Sequence, residues 1–337
     1  MKKRVAINGF GRIGRTLFKE LICDRTIEIV AINDFSAKEE LAYLVKYDSI
    51  HGQFPGVVRV NRDGDFVCNG KVIKTFAERD ALLLPWKKLK VDVILECTGA
   101  YTKLEDAMNH IKAGAKSVII SAPGKGDMKT IVYGVNEGEL TGKEKVISAA
   151  SCTTNCLAPV LKVLNDNFGV VRGFMTTVHA YTNDQANLDV HYRNDYTSRR
   201  GRACAMNIIP TSTGAASAIG KVIPELEGKL SGGAIRVPVS DGSMIDLSLE
   251  LAKNVTKEEI NRVFKKNQSN TLEYTEDPVV SSDIINSSCG ALVDGLLTNV
   301  LEVDGKQLVK VVAWYDNEYG YSMQMIRTLK YYLKLKK

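Results

Sequence analysis

The feature that most constrains the fold is a glycine-rich turn close to the amino terminus. Residues 4–8 form a short apolar run that predicts a strand, and Gly9, Gly11 and Gly14 follow at once. Helical spacing of apolar residues then begins at residues 15–24. In this context the first glycine permits a tight turn, the second lets the backbone approach a pyrophosphate, and the third allows close packing of helix on strand. The pattern predicts a dinucleotide-binding turn.

An acidic residue completes this pattern and indicates which dinucleotide is bound. A second apolar strand is predicted at residues 27–32, and Asp34 follows it, twenty positions after the last glycine. Asp34 would accept hydrogen bonds from the ribose hydroxyls and repel a 2′-phosphate, which favours NAD over NADP. The N–H groups of Arg12 and Ile13, at the helix start, would hold the pyrophosphate. A kinase glycine loop is the alternative, but neither His-Arg-Asp nor Asp-Phe-Gly follows it.

Strands and helices alternate through the first half of the chain. Strand-like runs at residues 91–96 and 117–120 flank helical spacing at residues 103–113. This alternation predicts an α/β fold with a doubly wound parallel sheet of Rossmann type. The second half lacks it, so we expect an α+β catalytic domain with a mixed or antiparallel sheet. We place the dinucleotide-binding domain at residues 1–150 and the catalytic domain at residues 151–317.

Composition narrows the class of protein further. The 337 residues include 45 basic and 39 acidic side chains, a net charge of +6 without a clustered basic stripe, so nucleic acid is not expected as the primary partner. The seven cysteines have no paired metal-ligand spacing, which argues against a metal site or a disulfide scaffold. With no signal-peptide pattern and no apolar run near 20 residues, we expect a cytoplasmic protein without membrane contact.

Cys152 lies at a predicted strand-to-helix junction. A short buried strand is expected at residues 146–150, and helical spacing follows at residues 157–168. A helix N-terminus favours an anion and lowers the pKa of a thiol, so Cys152 is a candidate nucleophile, with a buried structural cysteine as the alternative. A redox pair with Cys156, one helical turn away, is a further alternative, although we expect Cys156 to be buried and inert. His179, which follows a predicted strand, is the candidate base or ion-pair partner.

Several residues of the second half are candidate phosphate ligands. Thr211, Thr213 and Gly214 precede an alanine-rich run that predicts a helix, and Thr182 lies in a polar loop. Hydroxyl and N–H groups at a helix start bind phosphate, but they equally suit a helix cap. Arg236 is a charge within an apolar strand, and a bidentate phosphate contact is a plausible pairing for it.

Nine motifs together resemble the glyceraldehyde-3-phosphate dehydrogenase family over nearly the whole chain. They are NGFGRIGR at 8–15, residues 32–34, YDSIHG at 47–52, residues 121–124, SCTTNC at 151–156, TVHAYTNDQ at 177–185, residues 208–216, residues 224–228 and WYDNEYG at 314–320. The resemblance implies a glycolytic, NAD-dependent oxidoreductase in which Cys152 adds to the aldehyde of glyceraldehyde 3-phosphate. His179 would take the hydroxyl proton, and inorganic phosphate would release 1,3-bisphosphoglycerate from the thioester.

The resemblance also assigns the remaining site residues and the assembly. It implies a homotetramer, a cytoplasmic location and a C-terminal helix, residues 318–337, that returns to the first domain. Thr182, Arg236 and Arg200 would bind the substrate phosphate. The implied holders of the attacking phosphate are Ser151, Thr153, Thr211, Thr213 and Gly214, and the implied cofactor contacts beyond the glycine turn are Arg79, Ser121 and Asn317.

One loop departs from the family pattern. Residues 186–198 lack the expected Leu-Pro or Gly-Pro pair, so their contacts with a neighbouring subunit and their part in NAD selectivity stay open. Erythrose-4-phosphate dehydrogenase is the enzymatic alternative, because it shares the cysteine and the histidine but releases its product by hydrolysis. A NAD-binding interaction module is the alternative outside enzymes.

Overall fold

A computed structural model describes residues 2–192 and 194–336, which divide into two units. Unit 1 is Met1–Ile131, Glu137–Ala150 and Met325–Lys337, and unit 2 is Val132–Asn136 and Ser151–Gln324. The division between the longest segments of the two units falls after residue 150. The C-terminal helix differs, because its residues up to 324 group with unit 2. Arg193, in the departing loop, and Lys337 lie outside the described residues.

The described part of unit 1 forms an eight-stranded sheet. Its strands are β1 Lys3–Asn8, β2 Ile27–Asn33, β3 Val58–Val60, β4 Phe66–Cys68, β5 Lys71–Phe76, β6 Val93–Glu96, β7 Ser117–Ile120 and β8 Val146–Ser148, and its helices are α1 Arg12–Leu21, α2 Lys38–Lys46 and α3 Leu104–Lys112. The strand order is β3-β4-β5-β2-β1-β6-β7-β8. The strands from β5 to β8 pair in parallel, and β3, β4 and β5 pair antiparallel. The expected Rossmann-type α/β fold is confirmed.

The glycine turn is as tight as its sequence predicts. Gly9 has φ +88°, a conformation that a side chain disfavours. A Cβ atom at Gly14 would lie 2.2 Å from the carbonyl oxygen of Gly9, so only glycine permits this approach of α1 to the turn. The helix begins at Arg12 rather than at residue 15, because the glycine turn leads directly into its first turn.

The described part of unit 2 forms a second eight-stranded sheet, which is mixed. Its strands are β9 Val170–Ala180, β10 Ile209–Thr211, β11 Leu230–Val237, β12 Ser243–Leu251, β13 Leu272–Thr275, β14 Ala291–Asp294, β15 Asn299–Val303 and β16 Lys306–Tyr315. The order is β10-β11-β9-β12-β16-β14-β13, with β15 paired to β16. Strands β9 and β11 are parallel, as are β13 and β14, and the other pairs are antiparallel. The expected α+β domain is confirmed.

The second half of the described chain contains four α-helices. They are α4 Cys152–Phe168, α5 Ala215–Ala218, α6 Lys257–Lys266 and α7 Tyr319–Leu335, the last divided between the two units. Because α5 is a single turn, the expected phosphate site at its N-terminus lacks the summed dipole of a long helix. Within residues 2–192 and 194–336, no helix has both the length and the apolar character needed to cross a bilayer.

The register of β9 and β11 positions two functional candidates. The sequence places His179 after a strand at residues 174–178, but β9 extends to Ala180 and contains it. Parallel pairing then sets His179 opposite Arg236 on β11. Two residues 57 positions apart in sequence become neighbours in one sheet.

We expect Gly14→Ala to lower the melting temperature of the ligand-free protein by several degrees. The added Cβ would overlap the carbonyl oxygen of Gly9, and overpacking of this kind costs about 1–3 kcal/mol. Gly11→Ala is the matched control, because a Cβ there meets no protein atom within 4 Å. Scanning calorimetry makes the comparison, and equal melting temperatures for Gly14→Ala and the wild type would contradict the close approach.

Candidate active site

A cavity of about 580 Å³ lies in unit 1, at the carboxyl edge of the parallel sheet. Gly9, Gly11, Asp34 and Arg79 are among its lining residues. A Cβ at Gly11 would meet no protein atom, so the space in front of this glycine is open to a ligand. Arg12, with Ile13 the start of α1, follows directly, and the first N–H groups of a helix point outward. The cavity and its donors fit a dinucleotide with its pyrophosphate at the glycine turn.

Asp34 is held by the same turn. Its Oδ2 accepts the Phe10 N–H at 2.7 Å, and its Oδ1 accepts the Ser36 N–H at 3.0 Å. Each carboxylate oxygen has a second lone pair, which leaves both able to accept a ribose hydroxyl. Asp34 therefore lies beside the glycine turn with both oxygens available to a ligand in the cavity.

Arg79 and Ser121, two further cofactor candidates of unit 1, differ in whether they line the cavity. Arg79 lines the cavity, and its guanidinium lies over the Phe35 ring at 5.3 Å from the centroid. Planar stacking of this kind would suit an adenine neighbour. Ser121 follows β7 at the same edge of the sheet but is not part of the cavity lining.

In unit 2, a thiol and an imidazole face each other. Cys152 is the first residue of α4, and its Sγ lies 3.5 Å from the Nε2 of His179. The Nδ1 of His179 lies 2.7 Å from the carbonyl oxygen of Ala180, which can only accept, so Nδ1 carries the proton. In the neutral ring Nε2 therefore has a free lone pair directed at Sγ, the arrangement of a base beside a nucleophile.

Burial sets the resting protonation of this pair. It raises the pKa of the Cys152 thiol, while the positive charge of Arg236 acts in the opposite direction and is the smaller effect. Burial and then Arg236 lower the pKa of His179 to about 3. The resting pair is a neutral thiol and a neutral imidazole. The helix start was expected to favour the thiolate, but loss of solvent outweighs that contribution.

Arg236 presents an unused donor beside this pair. Its Nη1 donates to the carbonyl oxygen of Ala180 at 2.8 Å and to Oγ1 of Thr182 at 3.0 Å. Its Nε is buried and has no hydrogen-bond partner within the described residues. An unsatisfied buried donor of this kind costs about 1–3 kcal/mol, and an anionic oxygen would satisfy it.

A second arginine extends the cationic region. Arg200 donates from Nε to Oγ1 of Thr211 at 3.2 Å and pairs through Nη1 with Asp184, which also accepts the Thr182 hydroxyl proton. Burial opposes ionisation of Asp184, but the Thr182 hydrogen bond and Arg200 outweigh it and lower its pKa. Arg200 and Arg236 thus face a single carboxylate, which leaves net positive charge for an anionic substrate. No motif assigns a role to Asp184, although it lies two residues from Thr182.

The hydroxyls expected to hold the attacking phosphate already have partners within the protein. Ser151 caps α4, its Oγ accepting the Thr154 N–H at 3.1 Å. Thr213 accepts the Ala215 N–H at 3.2 Å, and Gly214 precedes α5. These contacts are capping interactions, so phosphate binding at these residues stays a prediction.

Thr153 belongs to a buried hydroxyl cluster that the sequence did not indicate. Its Oγ1 lies 2.9 Å from the hydroxyl of Tyr315, which also lies 2.8 Å from Oγ1 of Thr177. The Tyr315 ring packs edge-on against His179, with centroids 5.8 Å apart. Tyr315 therefore joins the start of α4 to the strand that holds the imidazole. Its place in the WYDNEYG motif was the only available signal.

Asn317 presents a second unused donor in unit 2. Its Oδ1 accepts the Ser243 hydroxyl proton at 2.7 Å, and this fixes the orientation of the amide. The Nδ2 is buried and has no hydrogen-bond partner within the described residues. An amide donor held in this way fits a carboxamide oxygen, the role expected for it toward nicotinamide.

The structure argues against a redox pair of Cys152 and Cys156. Cys156 is fully buried, whereas Cys152 is partly exposed, and both are free thiols. Burial, with Cys289 and Cys152 nearby, raises the pKa of Cys156 well above its usual range. A buried, protonated thiol is a poor nucleophile, so Cys156 is a packing residue.

We expect Arg236→Gln to shift the alkylation of Cys152 to higher pH. Removing the cation raises the thiol pKa further, and iodoacetamide reacts with the thiolate, so the rate at neutral pH falls by about an order of magnitude. Peptide mass spectrometry between about pH 5 and 9 gives the rate at Cys152. Arg172→Gln, at an exposed arginine on the neighbouring strand β9, is the control and keeps the wild-type curve. Coincident curves for Arg236→Gln and wild type would rule out this electrostatic coupling.

Comparisons with known proteins agree with the motifs. Residues 3–104 match the model for the glyceraldehyde 3-phosphate dehydrogenase NAD-binding domain, and residues 151–317 match that for the C-terminal domain. A glyceraldehyde-3-phosphate dehydrogenase of Clostridium pasteurianum is 56% identical over 335 residues, with 99% of both chains covered. Those of Clostridium acetobutylicum and Streptococcus pyogenes are 54% and 52% identical, over 99% and 100% of both chains.

Proposed function

The chain belongs to the glyceraldehyde-3-phosphate dehydrogenase family and is an NAD-dependent oxidoreductase, and we propose that Cys152 and His179 carry out its chemistry on glyceraldehyde 3-phosphate. The observation that supports this most directly is the 3.5 Å approach of Sγ to a proton-free Nε2. A nucleophile and its base are already paired, with an unused cationic donor beside them.

In the proposed first step, the Cys152 thiol adds to the aldehyde carbon. The neutral Nε2 of His179 takes the thiol proton as the carbon–sulfur bond forms, and the aldehyde oxygen is protonated to give a hemithioacetal. Nε2 is then free again to accept the hydroxyl proton of the hemithioacetal. Bound NAD supplies the hydride acceptor for this oxidation, which leaves a thioester on Sγ.

Phosphate ions bind at the cationic side of the site. The unused Nε of Arg236, together with Thr182, suits the phosphate of the substrate, and Arg200 adds charge next to it. Inorganic phosphate attacks the thioester from the side of Thr211, with Ser151, Thr153, Thr213 and Gly214 as the further proposed contacts. Attack releases the acyl phosphate and returns Cys152 as a thiol, its proton passing back through His179.

We expect NADH production from glyceraldehyde 3-phosphate to depend on inorganic phosphate, because only phosphorolysis frees the thioester rapidly. The initial rate of absorbance change at 340 nm, with and without phosphate, tests this for glyceraldehyde 3-phosphate and erythrose 4-phosphate. Faster, phosphate-independent turnover of erythrose 4-phosphate would instead identify an erythrose-4-phosphate dehydrogenase.

Two cysteine variants are the controls for this experiment. Cys152→Ser removes the thiolate, so turnover falls by several orders of magnitude while NAD affinity is kept. Cys156→Ala, one helical turn further along α4, keeps most of the activity because that thiol only packs. Equal loss in both variants would contradict the assignment of a single nucleophile.

We also propose that the chain forms a homotetramer in the cytoplasm. Large apolar side chains are exposed on the sheet of unit 2, and Phe174 on β9 is 69% exposed. Exposed apolar side chains grouped on one sheet are typical of a protein–protein interface. The other exposed apolar residues on this sheet are Val171, Leu301, Val303 and Leu308.

The cysteines support the proposed cytoplasmic location. All seven are free thiols, as a reducing compartment would keep them.

We expect sedimentation equilibrium to give four times the mass of one chain. Phe174→Glu places a charge on the apolar sheet face and should shift the population to smaller species. Val57→Glu, at a residue that is 66% exposed in unit 1, is the control and should leave the assembly unchanged. A monomeric wild-type chain would overturn the tetramer.

A further inference from the structure

Three neighbouring strands of unit 1 end in polar side chains that are buried and bonded to one another. Asn8, Asn33 and Glu96 are the last residues of β1, β2 and β6, and none is more than 3% exposed. The Nδ2 of Asn33 donates to Oδ1 of Asn8 at 2.7 Å, and the Nδ2 of Asn8 donates to Oε2 of Glu96. A connected hydrogen-bonded row therefore runs across the sheet at its carboxyl edge.

A histidine and a tryptophan extend this row into the core. The Nε1 of Trp86 donates to Nδ1 of His110 at 3.0 Å, and an indole nitrogen can only donate. Nδ1 is therefore without a proton, and Nε2 carries it toward Oε2 of Glu96, 3.1 Å away. The contact with Trp86 holds His110 as a neutral donor. We call Asn8, Asn33, Glu96, His110 and Trp86 the polar layer.

Glu96 is the acceptor at the centre of the polar layer. Its Oε2 accepts from Asn8 and His110, and its Oε1 accepts the N–H and the hydroxyl proton of Thr98. Four donors fill the roughly four lone-pair positions of an ionised carboxylate, whereas a protonated acid could donate only to the Thr98 hydroxyl, which would then lose its own acceptor. Glu96 is thus a buried anion held by neutral donors. Burying a charge without a neighbouring cation costs several kcal/mol. A residue that only filled space in the core would not need this charge.

Each strand-end member of the polar layer adjoins a segment that lines the cofactor cavity. Asn8 precedes Gly9, Asn33 precedes Asp34, and Glu96 precedes the loop that contains Thr98. The Oγ1 of Thr98 in turn accepts the Ala100 N–H at 3.0 Å, so the carboxylate orients this loop beyond its first residue. The polar layer therefore connects the three cavity-lining segments at the strand ends where they begin.

We propose that the polar layer positions the NAD-binding segments, and that Glu96 is a positioning residue for the cofactor, acting through Thr98 and Asn8. Glu96 itself lies beneath the cavity and need not touch the ligand. Removing its charge would loosen the glycine turn and the loop around Thr98 together, while Cys152 and His179 belong to unit 2 and keep their contacts. This inference rests on the proposed function only in taking unit 1 as the NAD site.

Glu96→Gln tests the proposal because it keeps the shape of the side chain. The new amide presents its own N–H groups to donors, so at least one contact is lost. We expect the dissociation constant of NAD, measured by calorimetry on the full-length protein, to rise about tenfold, or ~1.4 kcal/mol. At saturating NAD, kcat stays within about twofold of wild type, so KM for NAD and kcat separate.

Two substitutions of His110 test whether its hydrogen bonds, rather than its ring, support NAD binding. A glutamine at position 110 can donate to Glu96 and accept from Trp86, as the neutral imidazole does, whereas leucine can do neither. His110→Gln should therefore keep most of the NAD affinity, and His110→Leu should lose as much as Glu96→Gln. Equal affinities for the two variants would contradict the proposal.

The stability control is Val118→Ala, in the core of the same sheet and outside the polar layer. It lowers the melting temperature by creating a cavity and should leave the NAD dissociation constant unchanged. If Glu96→Gln does not fold, Thr98→Val removes one donor to the carboxylate at a less buried site, and the expected rise is about threefold. Wild-type affinity in the folded variant would overturn the proposal, whereas absence of NAD binding in the wild type would overturn the proposed function instead.

Discussion

The active-site geometry depends on one backbone oxygen, the carbonyl of Ala180 at the end of β9. It accepts a hydrogen bond from Nδ1 of His179 at 2.7 Å and another from Nη1 of Arg236 at 2.8 Å. The first bond fixes the tautomer that turns a free Nε2 lone pair toward Cys152, and the second directs the guanidinium to Thr182. Because both donors come from paired strands, the register of β9 and β11 positions the proposed base and the proposed anion site together.

Burial and charge act in opposite directions on this site, and the balance suits an addition to an aldehyde. A protonated thiol beside a neutral imidazole is unreactive at rest, since burial raises the pKa of Cys152 and lowers that of His179. Arg236 offsets part of the rise in the thiol pKa and so favours the thiolate, although the same charge lowers the pKa of His179. The same guanidinium offers its unused Nε to an anion. One cation is thus placed to act on both the proposed nucleophile and a phosphate-bearing substrate.

Much of the fold could be predicted because its signals are local. The glycine turn, Asp34 and the strand-to-helix junction at Cys152 are each contained in a short segment, and the fold class follows from the alternation of such segments. The contacts of Asp184 and Tyr315 could not be predicted in this way, because their partners lie far away in sequence or in an irregular loop. The thiol pKa was expected in the wrong direction for a related reason. A helix start is visible in the sequence, whereas burial depends on the whole domain.

The central claim is that Cys152 forms the covalent intermediate, and trapping that intermediate tests it most directly. The full-length protein is mixed with glyceraldehyde 3-phosphate and NAD in the absence of inorganic phosphate, quenched in acid and examined by intact and peptide mass spectrometry. The account predicts one phosphoglyceryl thioester per chain, located on Cys152, which disappears when phosphate is added before the quench. No adduct, or an adduct that stays on another cysteine such as Cys156, would contradict it.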